Sequence, residues 1–517
     1  MNNTTVIIPT AGLGSRLGKI SEFINKSLLS FDYKPVLSHI IERFPTDTKF
    51  IIPVGYNKDQ VKDFCELTYS DKNIEFVEIE NYSESWTGPG YTVKQCLDKI
   101  NSSFFYIPCD TYFNEVLKPD YAEDTYFVKK VDQNLHVEYT TFNIKDNRIV
   151  EYQFKKDTTK SWYAFTGVMF IKDHVSFKER LTNLTSPEII YTIQPNSKTE
   201  ILDTWLDFGN LVIYQAEVKK TQDYDFTKTD EVTYIVNNKV VKCWKDPTIS
   251  FKKYKKYLTN PEVYPENVKH KGQFIAYDYC LGTTVYVKEY VKDDTTSFSD
   301  MLEWLDEKVW IMQPNVDIKS DALSFYKDKT LKRIKQFIEN NTLPIVTHIN
   351  DVPIKDYTYY LNNINFELLS NDLIPAFTHG DLHFDNTIST QDNQFKIIDW
   401  RHEFGNSVEV GDLYYDLAKL YGGFVIDYGK IKKNIFGITK KDTKIYLDIP
   451  HCENHDFYIT KLLEYIKDKG YNEYKVKLLV PVIFWNMSPL HSKPFDEFLW
   501  YLGILLFAKL ELNETVC

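Results

Sequence analysis

Apolar residues in the first 215 positions come in short runs separated by polar turns. TVIIPT (5–10), KFIIPVG (49–55), IEFVEI (74–79) and FFYIPCD (104–110) are β-rich and bounded by turn formers, as strands of a covered sheet are. Between them, PVLSHIIERF and KDQVKDFCELTY repeat apolar residues three and four apart, the period of a helix with one buried face. Strand alternating with helix predicts an α/β domain with a mostly parallel sheet, whose ligands bind at the C-terminal strand ends. KDNRIVEYQF and YAFTGVMFI then read as strands of an added, mixed region.

The pattern changes near residue 220. The stretch around 218–230 is polar with little periodicity, which predicts a linker over 221–230 between domains at 1–220 and 231–517. VTYIVNNKVVKCW reads as a hairpin turning at Asn237-Asn238, and GQFIAYDYCLGTTVYVKEYV supplies two more strands. Beyond Phe298 helical patterns dominate, except around one polar motif. The second domain is therefore expected to be α+β, a small strand-rich lobe before a larger helical one. The apolar run Phe498 to Ala508 is shorter than the roughly 18 residues a membrane span needs and reads as a buried C-terminal helix.

Composition narrows the class. At 517 residues two to four domains of about 100–200 residues are expected. The net charge of −12 argues against a nucleic acid as main partner. Seven cysteines stand singly, with no CxxC pair, which suggests reduced thiols. MNNTTVIIP has no basic segment leading into an apolar one, so a cytoplasmic protein without membrane insertion is expected.

Two stretches carry phosphate chemistry. In AGLGSRLG, directly after the first strand, Gly12 and Gly14 let the backbone bend and turn N–H groups towards phosphate oxygens. Arg16 adds a bidentate clamp and Lys26 a point charge. Asp110 ends a strand at the ligand rim and Asp207 lies in WLDFGN; such a carboxylate pair suits Mg²⁺ beside a triphosphate. Taken with TGPGYT, PCDTYF and FTGVMFI, this region resembles the sugar-phosphate nucleotidyltransferase family over about 1–215, with a Rossmann-like fold. By that resemblance Gly12, Gly14 and Arg16 hold the nucleoside triphosphate, and Lys26 stabilises the transition state. Gly88 and Gly90 lie near the base, and Asp110 and Asp207 bind Mg²⁺. Asn25 stands where the family usually has Pro.

The second stretch is HGDLHFDN (379–386) followed by an apolar strand ending at Asp399. Transfer of a phosphoryl group to a hydroxyl needs a carboxylate at the acceptor O–H and oxygen ligands for a metal on the β- and γ-phosphates. Asp381 suits the first role. TISTQDNQFKIIDW reads as strand, turn, strand, which would return Asp399 beside Asn386. This half resembles the aminoglycoside phosphotransferase and choline kinase family, with a two-lobed protein-kinase-like fold, over roughly 231–517. The resemblance makes Asp381 the catalytic base and Asn386 and Asp399 Mg²⁺ ligands. It has His379 and Asp412 brace the loop, and Lys242 contact ATP phosphates.

Together the two sites imply a bifunctional enzyme. A kinase would phosphorylate a small sugar or polyol with ATP. A nucleotidyltransferase would then join the phosphomonoester to an NMP from CTP, UTP or GTP, making an activated precursor for surface polysaccharide. A choline kinase joined to a phosphocholine cytidylyltransferase is the alternative. An inactive nucleotide-binding scaffold in a polysaccharide-assembly complex is the alternative of another class. HCENH (451–455) has metal-ligand residue types in a polar loop, and FKKYKKY (251–257) reads as a helix with a solvated basic face.

Overall fold

Nine strands build the sheet of the first unit: β1 (Thr5–Ile7), β2 (Lys49–Val54), β3 (Asn73–Glu78), β4 (Phe104–Tyr106), β5 (Thr125–Lys130), β6 (Thr140–Lys145), β7 (Arg148–Phe154), β8 (Tyr163–Ile171) and β9 (Lys198–Ile201). They lie in the order β3-β2-β1-β4-β8-β5-β9-β7-β6. The computed structural model describes residues 4–118, 120–132, 135, 137–155, 162–221, 230–291, 296–392, 394–452 and 454–512. Thr5 faces Lys49 on one side and Phe104 on the other, both in parallel register. Val6 and Ile7 are fully buried, which is why this strand reads as an unbroken apolar run. Helices α1 (Val36–Ile41) and α2 (Lys58–Thr68) supply the crossovers; Val61, Phe64 and Cys65 form the buried face of α2.

The expectation of a mostly parallel sheet holds for β1 to β4 and not for the whole. β8 runs antiparallel to β4, β5 and β6, and β7 antiparallel to β6 and β9. One local cause is the turn Asp146-Asn147, where both residues have positive φ (50° and 58°). A two-residue turn of that handedness can only join antiparallel strands.

The hairpin β10 (Glu231–Val236) and β11 (Lys239–Trp244) turns at Asn237-Asn238, with φ of 49° and 56°. It packs with the first unit, contrary to the expected boundary at 230/231. Tyr234, Val236, Val241 and Cys243 continue the first core. The Tyr234 hydroxyl donates to Leu28 O at 2.5 Å, and Asn237 Nδ2 to Thr68 O at 2.7 Å. Within the described residues the first unit is 4–221, 230–247 and 269–276, and the second is 248–268 and 277–512. The expected linker 221–230, its two ends apart, lies outside the described residues.

The second unit is mainly helical. Its elements include α3 (Pro247–Thr259), α4 (Leu413–Val425), α5 (Glu473–Met487), α6 (Phe495–Glu511) and the hairpin β12 (Thr387–Thr390) and β13 (Phe395–Ile397). The apolar run 498–508 lies in α6 and is buried throughout, with Trp500 stacked on Trp485 at 5.0 Å. No described helix is long and apolar enough to cross a membrane. Strands at Gly437–Lys441 and Lys444–Asp448 were not expected; their lysines mask the apolar alternation. Between α4 and α5, Lys475 Nζ meets Asp412 Oδ2 at 2.9 Å, and both side chains are 0% exposed.

Breaking such a pair leaves one charge buried alone, at a cost of about 3–5 kcal/mol. Lys475→Met is therefore expected to lower stability by that amount in chemical denaturation. Asp412→Asn combined with Lys475→Met should recover part of it. Equal loss in the single and double variants would count against an unpaired charge as the cause.

Candidate active sites

The first site is assembled by a two-residue ladder. Asp207 pairs with Thr111 and Leu206 with Tyr112, antiparallel, and Phe208 N donates to Asp110 O at 2.9 Å. Those bonds set the Asp110 and Asp207 carboxylates on either side of Gly209. A methyl group at Gly209 would lie 2.7 Å from Asp110 Oδ2, 2.9 Å from Asp207 Oδ1 and 3.0 Å from an Arg16 nitrogen. Only hydrogen fits there. Gly14, at φ 67°, takes the left-handed backbone that opens the turn Ser15–Leu17 carrying Arg16.

Lys26 Nζ donates to Asp110 Oδ2 at 3.0 Å. The lysine is aimed by Asn25, which is fully buried and uses every polar group. Its Nδ2 donates to Thr10 O and Tyr56 O (3.0 and 2.7 Å), its Oδ1 accepts from Ser27 N (2.9 Å), and its N–H meets Gln60 Oε1 (2.8 Å). Asn thus fixes the loop with hydrogen bonds where a ring would fix φ. A cavity of about 120 Å³ is lined by Gly14, Ser15, Arg16, Leu17, Lys26, Asp110 and Gly209. Gly12, Gly88 and Gly90 do not line it. Gly12 lies over the Lys26 stem, and Gly88 and Gly90 press on Pro187, with Gly90 N donating to Pro187 O at 2.7 Å.

Burial alone would raise Asp110, but the Lys26 ammonium outweighs it and holds the carboxyl below its ordinary range. Burial and then the Asp110 charge push Asp207 up to about 6. Lys26 is raised despite its burial, chiefly by Asp110. Among the described residues no three His, Cys, Asp or Glu side chains converge on a metal position. Two carboxylates are nonetheless a sufficient protein contribution for Mg²⁺, which takes its other oxygens from water and phosphate.

The second site is a loop held by backbone bonds. Asp416, on α4, accepts from His379 N and Gly380 N, both at 2.7 Å. His379 is fully buried; its Nδ1 accepts from Asp381 N (3.0 Å), which leaves Nε2–H to donate to Ile398 O (2.7 Å). Burial holds this imidazole down at about 4. Asn386 Nδ2 donates to Asp381 O at 2.8 Å, and Ile398 N donates to Asn386 O at 2.9 Å. The β12–β13 register, Thr387 opposite Ile397, therefore returns the chain so that Asp399 follows directly on the partner of Asn386. Asp399 sits at φ 58°, a conformation Asp tolerates better than most residues.

Lys419 donates to Asp381 at 2.6 Å. Burial would raise the Asp381 carboxyl, but Lys419 holds it far below its ordinary range. Asp412 does not brace the loop as expected. It caps α4 and accepts from Tyr326 OH (2.8 Å) and Lys475, while Asp416, one turn on, takes the bracing role. Lys242 is on β11 in the first unit, nearly buried, 3.6 Å from Glu231 across the hairpin.

The spacing of Asp416 and Lys419, three apart on one helix face, was the available signal for two residues that sequence reasoning missed. The basic helix α3 is also not a solvated face. Lys252 pairs with Glu403 at 2.5 Å, Lys253 donates to Trp400 O, and Lys256 is 2% exposed. Burial pulls Lys256 down to about 7. In HCENH the rings of His451 and His455 stack at 4.6 Å, and Glu453 lies outside the described residues.

No family model matches the chain. It is 31% identical over 168 residues to the bifunctional protein GlmU of Methanocaldococcus jannaschii, covering 31% of this chain and 38% of that protein. It is 30% identical over 139 residues to a mannose-1-phosphate guanyltransferase of Hypocrea jecorina, covering 25% of this chain and 38% of that one. The chain thus spans little more than a third of the length of these relatives. The CTP:phosphocholine cytidylyltransferase LicC of Streptococcus pneumoniae is similar over 43% of this chain and 100% of that one, at 18% identity and a TM-score of 0.37. The first unit is a nucleotidyltransferase-like α/β domain.

Because the Asp110 charge contributes to raising Asp207, Asp110→Asn is expected to lower the Asp207 titration from about 6 in the metal-free protein. Carboxyl carbon chemical shifts followed against pH would read it. An unchanged midpoint would mean that the two carboxylates do not sense each other.

Proposed function

We propose that this chain carries out two phosphate transfers at two separate centres. The first unit would transfer a nucleotidyl group from a nucleoside triphosphate onto a sugar or polyol phosphate. A phosphomonoester oxygen attacks the α-phosphorus, the bond to the β-phosphate bridge breaks, and pyrophosphate leaves. What carries this reading is the convergence of Asp110, Asp207, Arg16 and Lys26 around Gly209. Asp110 and Asp207 would hold Mg²⁺, which when bound neutralises triphosphate charge. Lys26 and Arg16 would compensate charge on the phosphates as the bond order shifts.

The second unit would phosphorylate a small hydroxyl compound with ATP. The reading is supported by the hydrogen-bonded order of the 379–386 loop and by the hairpin that returns Asp399 beside Asn386. Asp381 would orient the acceptor O–H and take its proton, with Lys419 fixing its direction. Asn386 and Asp399 would hold Mg²⁺ against the ATP phosphates. The product of the second unit would be the phosphomonoester that the first consumes, giving an activated precursor for surface polysaccharide.

With ATP, a second triphosphate and an acceptor panel, Asp381→Ala should lower ADP formation by about 10²–10⁴-fold and leave pyrophosphate release on added phosphomonoester intact. Asp110→Ala should lower pyrophosphate release by on the order of 10²–10³-fold and spare ADP formation. Loss of both activities in either variant would show that the centres are not separate.

Gly209→Ala puts a methyl group within 3.0 Å of two carboxylates and Arg16. It should lower pyrophosphate release about as far as Asp110→Ala does, read at a temperature where circular dichroism shows the variant folded. Wild-type activity in this variant would mean that the residues around Gly209 are not the reacting centre.

A further inference from the structure

Near Asp381 the second unit gathers the basic side chains Lys329, Arg333 and Arg401. Lys329 Nζ lies 3.1 Å from the centre of the Phe325 ring, and the Arg401 guanidinium carbon 4.9 Å from the same centre. Lys329 is also 5.7 Å from the Tyr415 ring. Arg333, one helical turn after Lys329, feels Arg401, and Lys329 feels Arg401, Arg333, Lys419 and Asp381. Burial and these like charges push the Lys329 ammonium well down. Lys419 is paired with Asp381. Among the described residues no carboxylate forms an ion pair with Lys329, Arg333 or Arg401.

Arg401 is fixed at the reacting loop. Its N–H donates to His379 O at 2.9 Å, and its stem packs so closely on Gly380, at φ 84°, that a methyl group there would lie 2.6 Å from Arg401 Cβ. Its Nε is buried without a hydrogen-bond partner, which costs free energy unless a ligand supplies an acceptor. Two basic side chains sharing the Phe325 face, with Arg333 one helical turn beyond Lys329 and Asp381 alongside, form a receptor for an anion.

We propose that the hydroxyl compound phosphorylated at Asp381 carries its own anionic group, a carboxylate or a phosphate, held by Lys329, Arg333 and Arg401. This rests on the kinase reading of that site and names its substrate class. The acceptor oxygen attacks the γ-phosphorus of ATP, the bond from that phosphorus to the β–γ bridging oxygen breaks, the proton passes to Asp381, and ADP leaves. The anionic group takes no part in bond making and serves to place the hydroxyl. A quaternary ammonium such as choline would meet the like charge of Arg401 and Arg333.

The test uses the full chain with ATP and two matched acceptor sets, glucose, gluconate and glucose 6-phosphate, then glycerol, glycerate and glycerol 3-phosphate, with choline alongside. An anionic member should exceed its neutral partner at least tenfold in kcat/KM for ADP formation, and whether carboxylate or phosphate wins separates the two sources. Lys329→Met and Arg401→Met should raise KM for that acceptor at least tenfold, with KM for ATP and the unfolding of the second unit unchanged as the folding control. Calorimetry with inorganic phosphate reads the anion site directly: wild type should show one binding event that both variants lose. A preference for choline or a neutral member, or a phosphate isotherm unchanged in the variants, overturns the proposal. No ADP from any acceptor, with the binding event present in wild type and lost in the variants, overturns the kinase reading and the acceptor assignment with it, and leaves only an anion site.

Discussion

In each centre a lysine is paired with a carboxylate, and in the first a second carboxylate stands close by. At an effective dielectric of 20, two unit charges about 4 Å apart interact by about 4 kcal/mol, a large fraction of a domain's net stability. Lys26 lies on Asp110 and Lys419 on Asp381. Lys26 keeps Asp110 ionised where burial would favour the acid, and Lys419 holds the more exposed Asp381 below its ordinary range. In the first unit Asp207 has no lysine of its own, and its carboxyl rises accordingly. Lys26 on Asp110 is what sets the two carboxylates apart electrostatically.

Backbone geometry does the placing. The Thr111–Tyr112 and Leu206–Asp207 ladder and the β12–β13 hairpin perform the same task, bringing a later carboxylate-bearing segment beside an earlier polar one. Neither is long, and both are secured by bonds from outside the ladder, Phe208 N to Asp110 O in one and Ile398 N to Asn386 O in the other. Asp416 stabilises the 379–381 turn from α4, so this loop is tied to a helix that is buried along most of its length. A site on a loop gains precision when its second-layer bonds come from such an element.

Strand–helix alternation, the Asn237-Asn238 turn and the buried C-terminal helix were all legible in the sequence, because each is a local signal of period or turn chemistry. The returns that pair Asp110 with Asp207 and Asn386 with Asp399 were legible as motif spacing. The antiparallel entry of β8 was not, since period alone does not give strand direction. The hairpin β10–β11 reads correctly as a hairpin, but which core it joins is decided by Tyr234 and Val236 packing with Phe64 and its neighbours. Asp412 and Asp416 both precede apolar helical residues in GDLYYDLAKL. Only the fold shows that the first faces Lys475 and the second faces the loop. The basic face of α3 looked solvated because nothing in the sequence shows Glu403 and Trp400 coming to meet it.

The state of Lys26 bears on how the first centre would work. Committed to Asp110 at 3.0 Å, it contributes to the apo fold by cancelling a buried charge. A triphosphate presents more negative charge than one carboxylate, and a divalent cation on Asp110 would compete with the ammonium for Oδ2. Lys26 can then move its donor from carboxylate to phosphate without leaving the cavity, because the 3₁₀ turn that carries it is pinned by Asn25 and only the flexible stem need shift. What the loop supplies is a fixed starting point for the lysine, through four hydrogen bonds made by Asn25.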